Sequence, residues 1–369
     1  MNKLFVFILF LLGIGFVNAQ EMGNFYYRFN INQEYRNNIL IYNDSSKIND
    51  FRFRSSILVG YNGNISILRG NWDISYENRY QQYFKFSDYT RMEHLFIFRA
   101  SIPIHKQNSF YFNEDFRIRN YKNLNHNNYL RNIFSISLKS TIVSKLELFV
   151  GYKNWIKNYP NIISPKNYLS HRTFMKLNYQ FNRATYLGVK TEFQWHKGFL
   201  YPSQTNFNYI GNLSGSRYLI EILGNKIFFK NILVDLTYKF EYDLPSNLNN
   251  QSTGNNQGDE EPEDLLVEDP DYDYLKNQAA VSLLYRINAK ISFFSFIVLQ
   301  NKDFNSWLIN KKRNTLRSDQ FFYSSLILKY KFLPNFRINL YYNYEKRNSN
   351  LIKMNYHRNT IGAGLQYNF

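Results

Sequence analysis

The feature that most constrains this sequence is an alternation of apolar and polar residues that recurs in segment after segment. From Ile232 to Tyr242, and again from Phe336 to Tyr344, every second residue is apolar or aromatic, and most of the residues between are polar. This period of two indicates β-strands that have one apolar face and one polar face. The 3.6-residue spacing of an amphipathic helix fits none of these segments. The sequence therefore predicts an all-β fold.

The composition indicates which kind of β-protein this is. Aromatic residues make up 19% of the chain, with 32 Tyr and 34 Phe, and such residues favour strands and membrane interfaces. The mean hydropathy is nonetheless negative, at -0.47. A membrane barrel reconciles these values, because half of each strand faces lipid and the other half faces a polar lumen. We therefore predict a transmembrane, antiparallel, up-and-down β-barrel.

Tight links and longer connections alternate between the predicted strands, which is typical of the two ends of a membrane barrel. This alternation predicts sixteen strands with both chain ends on the short-turn side, and fourteen strands is the alternative. The predicted tight links are 62–63, 106–108, 141–144, 182–183, 224–225, 288–289 and 333–335. The predicted longer loops are 43–50, 81–90, 120–128, 157–168, 198–211, 243–277, 301–318 and 347–357.

The N-terminal residues have the pattern of a cleaved export signal. One basic residue, Lys3, precedes an apolar run that ends in the small residue Ala19, which is the order found in signal peptides. We predict a signal peptide over residues 1–19 and a barrel over residues 20–369. The chain has no cysteine, so neither disulfides nor thiolate metal sites stabilise it.

The last strand carries a more specific signal. The alternation of apolar and polar residues continues to the final residue, and this last strand contains Gly364, Tyr367 and Phe369. These residues resemble the C-terminal strand signal of Gram-negative outer-membrane barrels. The Asn-, Tyr-, Phe-, Ile- and Lys-rich composition resembles barrels of Bacteroidota-type bacteria. The resemblance implies export through the periplasm to the outer membrane, with the barrel-assembly machinery, lipid and lipopolysaccharide as partners.

The chain is strongly basic, with a formal charge of +17. Nucleic acid is excluded as a partner by the export signal, the barrel pattern and the lack of a recognition module. Many basic residues share the inward phase of the alternation, and two interpretations of them stay open: they line a pore for anionic or polar solutes, or they pair with acids and only hold the barrel together. The lumen-facing candidates are Arg28, Arg52, Arg54, Arg99, Arg117, Arg119, Arg131, Arg172 and Arg337.

The predicted loop 243–277 differs from the rest of the chain because it is acidic. Nine of the acidic residues lie between Asp259 and Asp273, among Asn, Gln and Gly, a composition that cannot form a packed core. We predict an external, disordered loop. The alternative is a latch that folds over a basic mouth or over the basic segment 301–318.

No cofactor or metal site is predicted from the motifs. The sequence contains neither an HExxH pair nor a Gly-x-Ser-x-Gly elbow, which are the common signatures of zinc and serine hydrolases. The favoured function is passage of small polar or anionic solutes. A structural or accessory barrel that binds other envelope proteins is the alternative, and a barrel enzyme is a third class.

Glu114 falls on the predicted lipid face, where a β-bulge that reverses the register is the favoured explanation.

Overall fold

The computed structural model of the chain describes residues 24–37, 49–65, 69–125, 128–160, 167–199, 212–245, 274–310, 315–351 and 355–368. The predicted signal peptide, most of the acidic loop and Phe369 lie outside these residues. Within them, no helix is long and apolar enough to cross a membrane.

Sixteen strands account for nearly all of the described residues. They are β1 (Asn24–Arg36), β2 (Asp50–Ile65), β3 (Gly70–Tyr83), β4 (Arg91–His105), β5 (Asn108–Tyr121), β6 (Tyr129–Val143), β7 (Leu146–Asn158), β8 (Asn167–Asn182), β9 (Thr185–Phe199), β10 (Asn212–Phe228), β11 (Ile232–Pro245), β12 (Tyr274–Arg286), β13 (Ile291–Asn310), β14 (Thr315–Lys331), β15 (Phe336–Ser349) and β16 (Tyr356–Asn368). A 3-10 turn, Ser87–Tyr89, lies between β3 and β4.

Each strand pairs antiparallel with its neighbours in sequence, and β1 pairs with β16 to close the barrel. Along this closing seam, residues 28–36 of β1 face residues 360–368 of β16 without a shift in register. Closure pairs both edges of every strand, so backbone polar groups are not left facing an apolar medium. The prediction of an up-and-down barrel with sixteen strands is confirmed.

The two ends of the barrel differ as predicted. Links such as 106–107, 144–145 and 183–184 lie on the side of the chain ends, which we call the turn end. The strand ends that the longer connections join, including Pro245 and Tyr274, lie on the opposite side, which we call the loop end.

Three of the predicted connections are wrong. Residues 62–63 lie within β2 and residues 224–225 lie within β10. The link after β10 instead uses Phe229 and Lys230, whose φ angles are 49° and 64°. This left-handed conformation is uncommon for residues other than glycine, so turn-forming residue types did not reveal it. The predicted loop 301–318 is mostly strand, since β13 runs to Asn310 and β14 begins at Thr315.

The two faces of the barrel wall have opposite character. Outward residues such as Phe25, Ile57 and Leu236 are large, apolar and more than half exposed. On the other face, Arg52 and Glu34 are almost completely buried because the concave side of a barrel crowds its side chains together. An apolar exterior around a charged interior is the arrangement of a barrel that spans a membrane.

Glu114 lies on the outward face without a bulge. The register of β5 with β4 and with β6 is continuous through this residue, so the predicted reversal is wrong. Its Oε1 accepts a hydrogen bond from Asn132 Nδ2 at 3.2 Å. A side-chain amide of the neighbouring strand therefore supplies part of the hydrogen bonding that lipid could not.

Candidate functional site: the charged lumen

The nine arginines predicted from the inward phase all lie on the lumen face, but at two different levels. Arg28, Arg99 and Arg337 are exposed and lie toward the turn end. The other six lie toward the loop end, where they are buried or half-buried: Arg52, Arg54, Arg117, Arg119, Arg131 and Arg172. The lumen wall is therefore accessible to water on the turn side and crowded on the loop side.

We call the crowded loop-side ring the arginine belt. Its carboxylates are Glu34, Glu93, Glu192, Glu241, Asp243, Asp319 and Glu345. Its buried arginines are Arg36, Arg52, Arg91, Arg119, Arg131, Arg172, Arg217, Arg317 and Arg358, and the half-buried Arg54, Arg117 and Arg347 complete it. A buried charge is tolerated only where an opposite charge and hydrogen bonds compensate for lost water, so these side chains depend on one another.

Glu34 of β1 is the centre of the first cluster in the belt. Arg52 Nε donates to Glu34 Oε2 at 2.7 Å, and Arg54 forms a second ion pair with this carboxylate. Arg36 lies 3.9 Å away on the same strand. The Tyr341 hydroxyl, from the other side of the seam, also donates to Glu34. One carboxylate thus organises three arginines and joins β15 to β1.

Glu93 of β4 has a similar arrangement. Arg119 Nε lies 2.6 Å from Glu93 Oε1, Arg91 Nε lies 3.2 Å from it, and Arg117 Nη1 lies 3.9 Å from Oε2. Here too a single negative charge serves three positive charges.

The belt continues on strands β8 to β12. Arg217 Nε lies 2.8 Å from Asp243 Oδ2 and 3.3 Å from Glu241 Oε1. Lys276 Nζ reaches Glu241 Oε2 at 2.8 Å. His196 is fully buried with its Nε2 3.4 Å from Asp243 Oδ2, and it faces the lumen because successive residues of a strand point to opposite faces and its neighbour Trp195 points outward.

The last belt carboxylates lie on β14 and β15. Arg317 Nε donates to Asp319 Oδ1 at 3.0 Å, and Arg347 Nε lies 3.6 Å from Oδ2. Arg358 Nη2 donates to Glu345 at 2.6 Å. Cations flank every carboxylate of the belt. Its ion pairs therefore extend around the lumen wall as far as β15 and β16, next to the closing seam with β1.

Aromatic rings cover many of these cations. The Arg119 guanidinium and the Lys157 ammonium each lie 4.7 Å from the centre of the Tyr129 ring. On the opposite side of the barrel, the Arg317 guanidinium lies 4.4 Å and the Lys302 ammonium 5.0 Å from the centre of the Phe304 ring. The electron-rich face of an aromatic ring attracts a cation, and most strongly where water is excluded. The rings therefore stabilise positive charge without neutralising it.

Glycines let side chains cross a whole strand at three places. Tyr341 passes over Gly362 of β16 to reach Glu34 of β1, and a Cβ at Gly362 would lie 2.5 Å from the tyrosine ring. In the same way Tyr26 passes over Gly60 to donate to Asp73 at 2.6 Å.

His196 makes the third crossing. It lies over Gly215 on its way to Asp243. Each crossing ties together two strands that do not pair with each other.

One sector of the lumen is apolar. Ala280, Val298, Phe321 and Tyr323 form a buried cluster on β12 to β14, and Phe296 packs against it. These residues explain why the segment from Ile291 to Leu299 is apolar on both faces: one face looks outward and the other lines this sector. The lumen wall therefore combines the arginine belt with one apolar sector.

Sequence reasoning missed several residues of the belt. Arg317 and Arg347 fell within or at the edge of predicted loops, and Glu34 was not assigned a role. The signal that would have found them is phase, because each continues the inward alternation of its strand. No group of three or more potential metal-ligating side chains is present in the described strands and turns.

The C-terminal signal residues occupy different faces of β16. Gly364 faces the lumen, opposite Asn32 of β1. Tyr367 faces outward, and its ring centre lies 4.2 Å from that of Phe336. Reading of these residues by the assembly machinery stays a prediction.

Solved structures share this fold. Pseudomonas aeruginosa OpdQ aligns with a TM-score of 0.51 at 8% identity, covering 94% of this chain and 99% of that chain. Pseudomonas aeruginosa OccK3 (OpdO) aligns with a TM-score of 0.51 at 9% identity, covering 94% and 96%. The outer membrane protein opdK of the same organism gives 0.47 at 8% identity, covering 94% and 98%. No family model and no curated protein matches the sequence. At these identities the likeness to OpdQ and OccK3 concerns the fold alone, and this chain is itself a closed, sixteen-stranded antiparallel β-barrel.

Proposed function

We propose that the chain forms an outer-membrane channel for small polar solutes, with a preference for anions. The observation that carries this proposal is the excess of cations in the arginine belt, where Glu34 and Glu93 each serve three arginines. A passage lined by one sign of charge and walled by low-dielectric material concentrates ions of the opposite sign. The exposed Arg28, Arg99 and Arg337 extend this field to the turn end.

The proposed location follows from the outer face of the barrel. A closed barrel with large apolar residues outside satisfies its backbone internally and suits a lipid environment. Outer-membrane lipid, lipopolysaccharide and the barrel-assembly machinery are the partners that this location implies. Export through the periplasm by the segment 1–19 belongs to the same proposal.

A structural or accessory barrel is the second candidate, and burial of the belt favours it. Arg52 and Arg317 are each only 1% exposed, which suits a lumen that is packed on its loop side. In that case the ion pairs would hold the barrel in shape, and the protein would act by binding other envelope proteins.

Single-channel recording of the refolded protein in a planar bilayer separates the two candidates. A channel gives discrete, reproducible conductance steps. A barrel that inserts and resists proteolysis but stays electrically silent contradicts the channel and leaves the accessory role.

A further inference from the structure

Trp155 lies on the lumen face of β7, and three cations surround its indole. The Arg172 and Lys153 charges lie 5.3 Å from the ring centre, and the Arg131 guanidinium lies 5.6 Å from it. These cations come from β8, β7 and β6, so three adjacent strands build the cluster. One ring thus holds three positive charges together, each attracted by its face.

The negative charges around this cluster are fewer. Arg131 Nη2 lies 3.1 Å from Asp115 Oδ1, and Arg172 Nη1 lies 3.3 Å from Glu192 Oε1. Glu192 is shared with a further cation, because Lys190 Nζ lies 2.6 Å from its other oxygen. Four cations, Arg131, Arg172, Lys153 and Lys190, thus lie beside two carboxylates in the described part of this cluster.

Two hydrogen-bond donors in the cluster have no acceptor among the described residues. They are Trp155 Nε1 and Arg131 Nε, and both atoms are buried. Trp155 is 5% exposed and Arg131 is 7% exposed. Both groups can only donate, and buried donors are normally satisfied by an acceptor. Positive charge and unsatisfied donors at one place define a preference for an oxygen acceptor that carries negative charge.

We propose that Trp155 and Arg131 form an oxyanion subsite of the lumen, which takes the carboxylate or phosphate group of a solute. The inference rests on the proposed function, since it names the class of solute that the lumen holds. Trp155 Nε1 and Arg131 Nε donate to the oxyanion, while Arg172 and Lys153 supply charge. The indole keeps these cations in place through its face.

Equilibrium dialysis of the refolded barrel tests the subsite without requiring a pore. Radiolabelled acetate and inorganic phosphate are the probes, each at constant ionic strength with chloride as the competing ion. Trp155→Phe keeps an aromatic ring beneath the cations and removes the N–H. It should weaken saturable oxyanion binding about tenfold, the scale of one hydrogen bond to a charged group. The matched control, Trp195→Phe, makes the same change on the outer face and should bind as the wild type does.

A second variant protects the test against misfolding. Arg131→Lys keeps the positive charge and removes Nε, so it should also weaken binding several-fold while leaving the barrel folded. The tighter of the two probes identifies the oxyanion as a carboxylate or a phosphate. The subsite is overturned if neither probe binds saturably, as when water alone satisfies the donors, or if Trp155→Phe and Arg131→Lys bind as tightly as the wild type. If the barrel binds oxyanions but does not conduct, the channel is refuted and the subsite stands. If the barrel conducts but both variants bind oxyanions as the wild type does, the subsite is refuted and the channel stands.

Discussion

Glu34 shows how much of this barrel depends on single carboxylates. It is 1% exposed, and its partners come from β1, β2 and β15. Removing one member of a buried ion pair leaves the other charge without compensation, which costs far more than the pair contributes. The same reasoning applies to Glu93, whose three arginines lie on β4 and β5.

We therefore expect Glu34→Gln to lower the free energy of unfolding by about 3–5 kcal/mol. Urea unfolding of the refolded barrel in lipid vesicles measures this change. Glu147→Gln is the matched control, because Glu147 and its partner Lys139 are 36% and 26% exposed at their side chains and a pair near water is worth about 1 kcal/mol or less. Equal losses for the two variants would show that burial does not set the cost.

The outward position of Glu114 gives a second prediction at the residue scale. Since the chain has no cysteine, Asn113→Cys and Glu114→Cys each introduce a single thiol on opposite faces of β5. A water-soluble thiol reagent should modify Asn113→Cys through the lumen much faster than Glu114→Cys, and a lipid-soluble reagent should reverse the order. The opposite pair of results would restore the β-bulge at Glu114.

At the scale of the strands, the glycine crossings join elements that the backbone hydrogen bonds leave apart. β15 and β1 are separated by β16, yet Tyr341 reaches Glu34 because Gly362 presents no side chain. This contact lies beside the closing seam, where the two ends of the chain must meet. The crossing should therefore contribute to closure as well as to local packing.

Gly362→Ala tests the crossing. The added Cβ would lie 2.5 Å from the Tyr341 ring, so the ring must move, at a cost of about 1–3 kcal/mol typical of overpacking. Gly224→Ala is the control, since its Cβ would meet only Leu236 at 4.0 Å. Both are measured by urea unfolding.

A double-mutant cycle identifies the cause of that cost. In a Tyr341→Ala background Gly362→Ala should cost little, because the two residues are in contact and their effects are not additive. An undiminished cost would place the strain in the backbone of β16 rather than at the tyrosine.

Much of the strand architecture could be predicted from the sequence, because alternation and turn length are local. The β11 run from Ile232 to Tyr242 and the inward phase of Arg117 and Arg119 follow directly from a period of two. The position of residues 62–63 could not be predicted in this way. Asn-Gly is a local turn signal, but pairing with β1 and β3 keeps these two residues within strand β2. The crossing of Tyr341 over Gly362 depends on the registers of three strands, which no local pattern contains.

At the scale of the whole molecule, the lumen has a cationic wall, an apolar sector and an unequal exposure along its axis. The formal charge of the chain is +17, and part of it lies on this wall. Arg99 and Arg337 are exposed on this wall toward the turn end, while Lys346 is exposed on the outer face. Removing one positive charge at each of these positions in turn distinguishes the effect of the field in the lumen from the effect of the net charge of the protein.

The reversal potential across a salt gradient in a planar bilayer tests the central claim most directly. We expect the wild type to prefer chloride over potassium. Arg99→Gln and Arg337→Gln should each lower the anion-to-cation permeability ratio about twofold, as expected for a solvent-screened charge. Lys346→Gln should leave this ratio unchanged. A conducting barrel without ion preference, or with equal effects for all three variants, would contradict the account of a lumen governed by its arginines.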